Sequence, residues 1–114
     1  MRNLVHVVQK DERPDLIMQI TDVNTGKPVD LTHPATTVVC RFRKKGTTKV
    51  LFTQTAEMVD AFEGTVSMSW PTDALDIDPG LYELQVTINF EGVEEQTVPY
   101  PVNIKVWERF DAST

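Results

Sequence analysis

The sequence predicts an all-β fold, an antiparallel sandwich of about seven strands, and three observations carry that prediction. First, residues 82–90 alternate without a break, with Tyr82, Leu84, Val86, Ile88 and Phe90 on one face and Glu83, Gln85, Thr87 and Asn89 on the other. Successive side chains of an extended strand point to opposite faces, so this pattern marks a strand with one face buried and one face wet. Second, short alternating stretches recur between Gly, Pro, Asn and Asp turns, at the roughly 8–12-residue spacing of sandwiches and barrels. Third, no stretch of about ten residues or more has a helical 3.6-residue period.

Taken in order, the first strand covers residues 4–9, and the second covers 15–21, with Leu16, Met18 and Ile20 opposed to Ile17, Gln19 and Thr21. The run Asp22-Val23-Asn24-Thr25-Gly26-Lys27-Pro28 then turns the chain, since Asn and Gly tolerate tight-turn geometry and Pro cannot donate to a ladder. Val29, Asp30 and Leu31 form a short extended piece before a loop with His33 and Pro34. The third strand, 37–44, points Val38, Cys40 and Phe42 one way and Val39, Arg41 and Arg43 the other. A hairpin loop with Gly46 at its strained position leads to the fourth strand, 50–55.

Glu63 and Gly64 turn the chain into the fifth strand, where Val66, Met68 and Trp70 alternate with Thr65, Ser67 and Ser69. Residues 71–75, opening on Pro71, have the makings of one helical turn. Asp78-Pro79-Gly80 launches the sixth strand, and Glu91-Gly92 turns it into the seventh, which ends with Val102, Ile104 and Val106 facing inward. Pro99 and Pro101 place the start of that last strand at an edge or after a bulge. The expected core is Leu16, Met18, Ile20, Val38, Cys40, Phe42, Val66, Met68, Trp70, Leu75, Tyr82, Leu84, Val86, Ile88, Val102, Ile104 and Val106. Seven strands in one chain of 114 residues favour an immunoglobulin-like sandwich forming a single domain over residues 1–114. With one cysteine, the intrachain disulfide of antibody domains is impossible.

Bulk chemistry excludes several functions. A net charge of −6 argues against a polyanion partner, so no nucleic acid is expected. The one basic run, Arg41, Arg43, Lys44 and Lys45, reads as a solvated strand running into a hairpin. No apolar run approaches the ~18 residues of a membrane span, and the N-terminus lacks the apolar core and cleavage site of a signal peptide. A soluble chain made in the cytoplasm, with no membrane contact, is the expectation.

No catalytic, cofactor or metal site emerges. Asp73, Asp76 and Asp78 crowd one connection, but they lack the Gly-punctuated ladder of a calcium loop and read as turn and capping residues. Glu91, Glu94 and Glu95 sit at a hairpin tip, with no cleft to hold a pair of carboxylates at a fixed separation. His6 and His33 have no ligand partners at metal-binding spacing, and Cys40 shares the phase of Val38 and Phe42, which makes it a core thiol. No nucleophile elbow or Gly-rich phosphate loop occurs.

What remains points to binding. The outward face of the fifth strand, Thr65, Ser67 and Ser69, carries no charge and suits packing on a partner. Trp107 is out of phase with Val102, Ile104 and Val106, and is expected to face outward close to Phe110 as an interface anchor. The terminal strands, around Leu4 and Trp107, are potential sheet edges that another chain can pair with. The hairpin tips at 44–49 and 91–95 complete the set.

Four segments in this order resemble a known family: GKPVDLT at 26–32, CRFRKKG at 40–46, VDAFEGTVSMSW at 59–70 and DIDPGLYELQVTINFEG at 76–92, with VPYPVNIKV at 98–106 similar to its closing strand. The pattern resembles the immunoglobulin-like N-terminal domains of bacteriophage baseplate upper proteins and short stand-alone phage virion proteins, over about residues 15–107. The resemblance implies a virion structural protein of the tail or baseplate, the neck or the capsid decoration. It would work through contacts with other phage structural proteins, as a monomer when alone and multimeric in the particle, and without catalytic residues. The alternative is a carbohydrate- or receptor-binding module of the particle, which needs an exposed aromatic platform from Trp107, Tyr100 and Phe110.

Overall fold

Among the described residues eight strands form: β1 (Leu4–Val8), β2 (Leu16–Gln19), β3 (Thr37–Lys44), β4 (Val50–Asp60), β5 (Thr65–Met68), β6 (Gly80–Phe90), β7 (Glu94–Thr97) and β8 (Val102–Trp107). The computed structural model describes residues 4–13, 15–22, 24–32, 36–90, 94–98 and 101–110, with backbone alone at 94–96. His33, Glu91, Gly92, Pro99 and Tyr100 lie outside the described residues, as do the side chains of Glu94 and Glu95. The strand beyond the expected seven arises because the closing segment is in two pieces, with Pro101 just ahead of β8. Proline supplies no N–H to a ladder, so pairing along β6 passes from β7 at residues 87–90 to β8 at residues 80–84.

Hydrogen bonds join the strands in the order β1-β8-β6-β3-β4-β5-β2, with β7 on β6. β4 outruns the expected 50–55 because it serves both halves of the sheet. Its residues 50–56 pair with β3 and its residues 57–60 with β5. Register slips at Phe42/Arg43 and Met58/Asp60 bend and twist the strand, and the sheet curls into a half-barrel around one core. The chain is all-β, but one pair departs from the expected antiparallel pattern: β1 runs parallel to β8. The two strands come from opposite ends of the chain, so no short connection forces them antiparallel. β8, expected at an edge, therefore lies between β1 and β6, and the path ends at β1 and β2.

The turn chemistry anticipated at 22–32 is explicit. Asp22 Oδ1 accepts from the N–H groups of Asn24 and Thr25, and Gly26 adopts φ 72°. Asp30 Oδ1 then accepts from the Thr32 hydroxyl at 2.6 Å and the Thr32 N–H at 2.9 Å, which holds its carboxyl below the usual carboxylate range. Inside this second turn the Leu31 N–H donates to the Ala61 carbonyl and the side chain is driven into the core, a burial that its irregular setting concealed from periodicity. Ala56 is the other unanticipated core residue, placed where β4 passes between the two halves. Leu16, Met18 and Val102 pack against the core without being fully buried. Residues 71–75 form no helical turn. Two successive turns, Ala74 N–H to Pro71 O and Asp76 N–H to Asp73 O, replace it, with Asp73 at φ 63°.

The centre of the core is aromatic. Phe42 stacks on Phe52 at 4.9 Å and Tyr82 at 5.2 Å between centroids, and meets the edge of Trp70 at 5.7 Å. Strands from both halves meet there, so the cluster ties them together without a disulfide. At the foot of β6 the Tyr82 hydroxyl donates 2.7 Å back to the Asp78 carbonyl, bracing the Asp-Pro-Gly turn. Tyr82→Phe is expected to cost about 1 kcal/mol in urea unfolding. An unchanged midpoint would show that the hydroxyl does not brace the turn.

Burial pushes the Cys40 thiol up from 9.0 to about 11. Below the unfolded value both states keep the proton, and the thiol leaves stability independent of pH. Between the two values only the unfolded chain ionises, so stability falls as pH rises, by up to about 3 kcal/mol. Tyr82, raised by burial and then by the Asp78 charge, acts in the same direction. Chemical unfolding from pH 8 to 11 should show this decline, and Cys40→Ala should make it shallower. Equal slopes in the two proteins would remove Cys40 as its cause.

Candidate interaction surface

Of the sites anticipated from sequence, Leu4 and Trp107 fall on one outer face and Thr65, Ser67 and Ser69 on another, while Phe110 lies past the end of β8. The first is the outer face of β1 and β8. Their parallel register sets Leu4 beside Asn103, His6 beside Lys105 and Val8 beside Trp107, while Val5, Val7, Ile104 and Val106 turn inward. Trp107 is 45% exposed, as its phase requires, and it is held in place. Its indole Nε1 donates to His6 Nδ1 at 3.0 Å, the His6 ring stacks on it at 5.9 Å, and Lys105 Nζ sits 4.0 Å from the ring centroid. The ring thus pairs with His6 rather than with Phe110, which lies past the strand and is 89% exposed. Leu4 is on the same face but at the far end of β1, about 13 Å along the strand from the Trp107 level.

Gln9 locks this end of the molecule. Its N–H donates to Trp107 O, its Nε2 donates to Ile77 O at 2.7 Å, and its Oε1 accepts from the Arg109 N–H at 3.1 Å. The chain then continues as Lys10 N–H to Leu75 O, and Glu12 Oε2 accepts from Leu75 N–H. An open cleft of about 330 Å³ lies beside β1, lined by Val5, Val7, Leu16, Trp70, Arg13 and Asp15.

The second face belongs to β2, β5 and the 57–60 half of β4. Thr65, Ser67 and Ser69 occupy it as expected, in rows set by pairing: Ile17–Ser67–Glu57 and Gln19–Thr65–Asp60. Beyond them, Ser69 Oγ donates to Asp15 Oδ2 at 3.2 Å. The strand itself is uncharged, but its neighbours make the face acidic. Ile17, 65% exposed, is apolar at an outward position of β2. That signal is readable in the sequence as an apolar residue out of phase with Leu16, Met18 and Ile20. Val59 and Phe62 are exposed at the bulge and loop beside it, where periodicity carries no information.

The three aspartates of residues 73–78 stay in turn roles. Among the described residues no group of three or more His, Cys, Asp or Glu side chains converges on a point. Among the described residues, likewise, no helix is long and apolar enough to cross a membrane.

No protein-family model and no curated protein matches the chain. Among solved structures it is similar to the N-terminal domain of phage TP901-1 ORF48, with a TM-score of 0.59 at 14% sequence identity, covering 95% of this chain and 86% of that one. At that identity the likeness is one of fold.

Proposed function

We propose that this chain is a structural module of a bacteriophage particle, working through contacts with other phage structural proteins. The observation that carries the reading is a conjunction. A sequence pattern resembling phage baseplate upper domains spans most of the chain, and the fold over 95% of it matches a phage domain. No substrate, cofactor or metal is part of the proposal, and it assigns no catalytic residue. The interface residues remain Leu4, Thr65, Ser67, Ser69, Trp107 and Phe110, on the faces described above.

The finer architecture we assign is an immunoglobulin-like sandwich. The order β1-β8-β6-β3 continuing into β4, and from β4 through β5 to β2, supports it as two sheets sharing a strand. The Tyr82 hydroxyl bonded back to Asp78 supports it too, since such a tyrosine at the start of this strand braces the corner of immunoglobulin-type domains. The glycan-binding alternative is less favoured, because the Trp107 ring is already engaged by His6 and Lys105 rather than free for a sugar. Purified virions of the source phage, analysed by mass spectrometry and cryo-electron microscopy, should contain the chain in symmetric copies. Particles that lack it would end the structural reading.

A further inference from the structure

The two broad outer faces carry opposite charge. On β8, β6, β3 and the first half of β4, the outward positions hold Lys105, Arg41 and Arg43, with Glu83 as the carboxylate among them. Glu83 and Arg43 neutralise each other at 3.1 Å, which leaves Arg41 and Lys105 as the net cations of these four strands, while β7, beside β6, sets Glu95 opposite Asn89 at the far margin. Exposed Leu81, Val50 and Trp107 supply apolar area between the cations. On the other side, β2, β5 and residues 57–60 contain no Lys or Arg at all. Their outer rows carry Glu57 and Asp60, with Asp15 at the margin and Ile17 exposed beside Ser67 on the edge strand. Inward residues of both halves share one core, so these two faces look away from each other.

A face meeting its own copy across a two-fold axis would bring like charges together, at a cost that disfavours such pairing. The basic face against the acidic face brings opposite charges together and gives the exposed apolar side chains of each a surface to cover. We propose that the acidic face is the docking site for the basic face of a second copy of this chain. The contact is head-to-tail, of the kind that closes into a ring or extends as a row. Trp107, fixed by His6 and Lys105, is a pre-ordered anchor at one margin of the basic face, and the short side chains of Thr65 and Ser67 let a partner sheet approach closely. This inference rests on the assembly role proposed above and names the partner.

Sedimentation velocity on the purified chain tests it. At about 0.5 mM protein and low salt, species larger than the monomer are expected, and about 0.5 M salt should return them to monomer by screening. Glu57→Lys with Asp60→Lys should weaken association about tenfold or more, and so should Arg43→Glu with Lys105→Glu. Mixed one to one, the two double variants offer two complementary contacts, unaltered basic face on unaltered acidic face and reversed face on reversed face, and should associate again, which misfolding could not produce. Circular dichroism melts confirm that each variant is folded. A wild-type chain that stays monomeric, reversals without effect, or a mixture that stays monomeric would each overturn the head-to-tail contact. If that happens while virions still contain the chain, the structural role stands and only the choice of partner fails.

Discussion

Gly64→Ala is expected to destabilise the protein by roughly 3–5 kcal/mol, a large share of what a domain of this size possesses. Gly64 adopts φ 68°, a left-handed conformation that itself costs a non-glycine residue about 1–2 kcal/mol. The larger part is steric. A Cβ at this position would stand 2.7 Å from the carbonyl oxygens of both Ile20 and Val29. Neither oxygen can swing away, because both belong to backbone. Gly64 O accepts from the Ile20 N–H, and Ile20 O accepts from the Val29 N–H. A shift large enough for a methyl group would pull apart the end of β2 and the loop that delivers Leu31 to the core.

Gly46→Ala is the matched control. Gly46 has φ 86°, but nothing lies within 4 Å of its missing Cβ, so only the conformational cost of about 1 kcal/mol should appear. Urea unfolding of the two variants separates strain from clash. Equal losses would show that the Gly64 contact is unimportant.

Phe42→Ala is expected to cost about 3–5 kcal/mol, with loss of the near-ultraviolet aromatic signal. Phe42 is fully buried and touches three other rings, so truncation leaves a cavity between strands of both halves. Each aromatic pair is worth about 0.5–1.5 kcal/mol beyond buried area, which places this site at the upper end of core truncations. Phe42→Leu, which keeps most of the volume, should cost about half as much. A loss under about 1.5 kcal/mol for the alanine variant would mean that the cluster collapses onto the gap and that the halves are joined elsewhere.

The candidate interaction surface was only partly legible. Trp107 was readable as outward-facing because its phase opposes Ile104 and Val106, and a strand has only two faces. The charge-free character of Thr65, Ser67 and Ser69 was equally readable, yet it misdescribed the face they belong to. Glu57 and Asp60 reach it because β4 pairs with β5, across a bulge that no alternation pattern announces. The partner of Trp107 was hidden for a similar reason: His6 stands 101 residues away and arrives only because β1 runs parallel to β8.

Local chemistry therefore settled, from sequence alone, what depends on neighbours along the chain: the all-β class, the inward phase of Val38 to Phe42 and Tyr82 to Ile88, and the turns at Asp22, Gly46 and Asp78. Period-2 alternation and turn geometry act over a few residues and need no distant partner. Tertiary structure alone decided which strands pair, the parallel β1–β8 contact, the split of β4 between two halves and the acidic and basic characters of the two outer faces. Those features are set by which distant backbone edges meet around a shared core, and pairing energy per residue hardly depends on how far apart in the chain the partners lie.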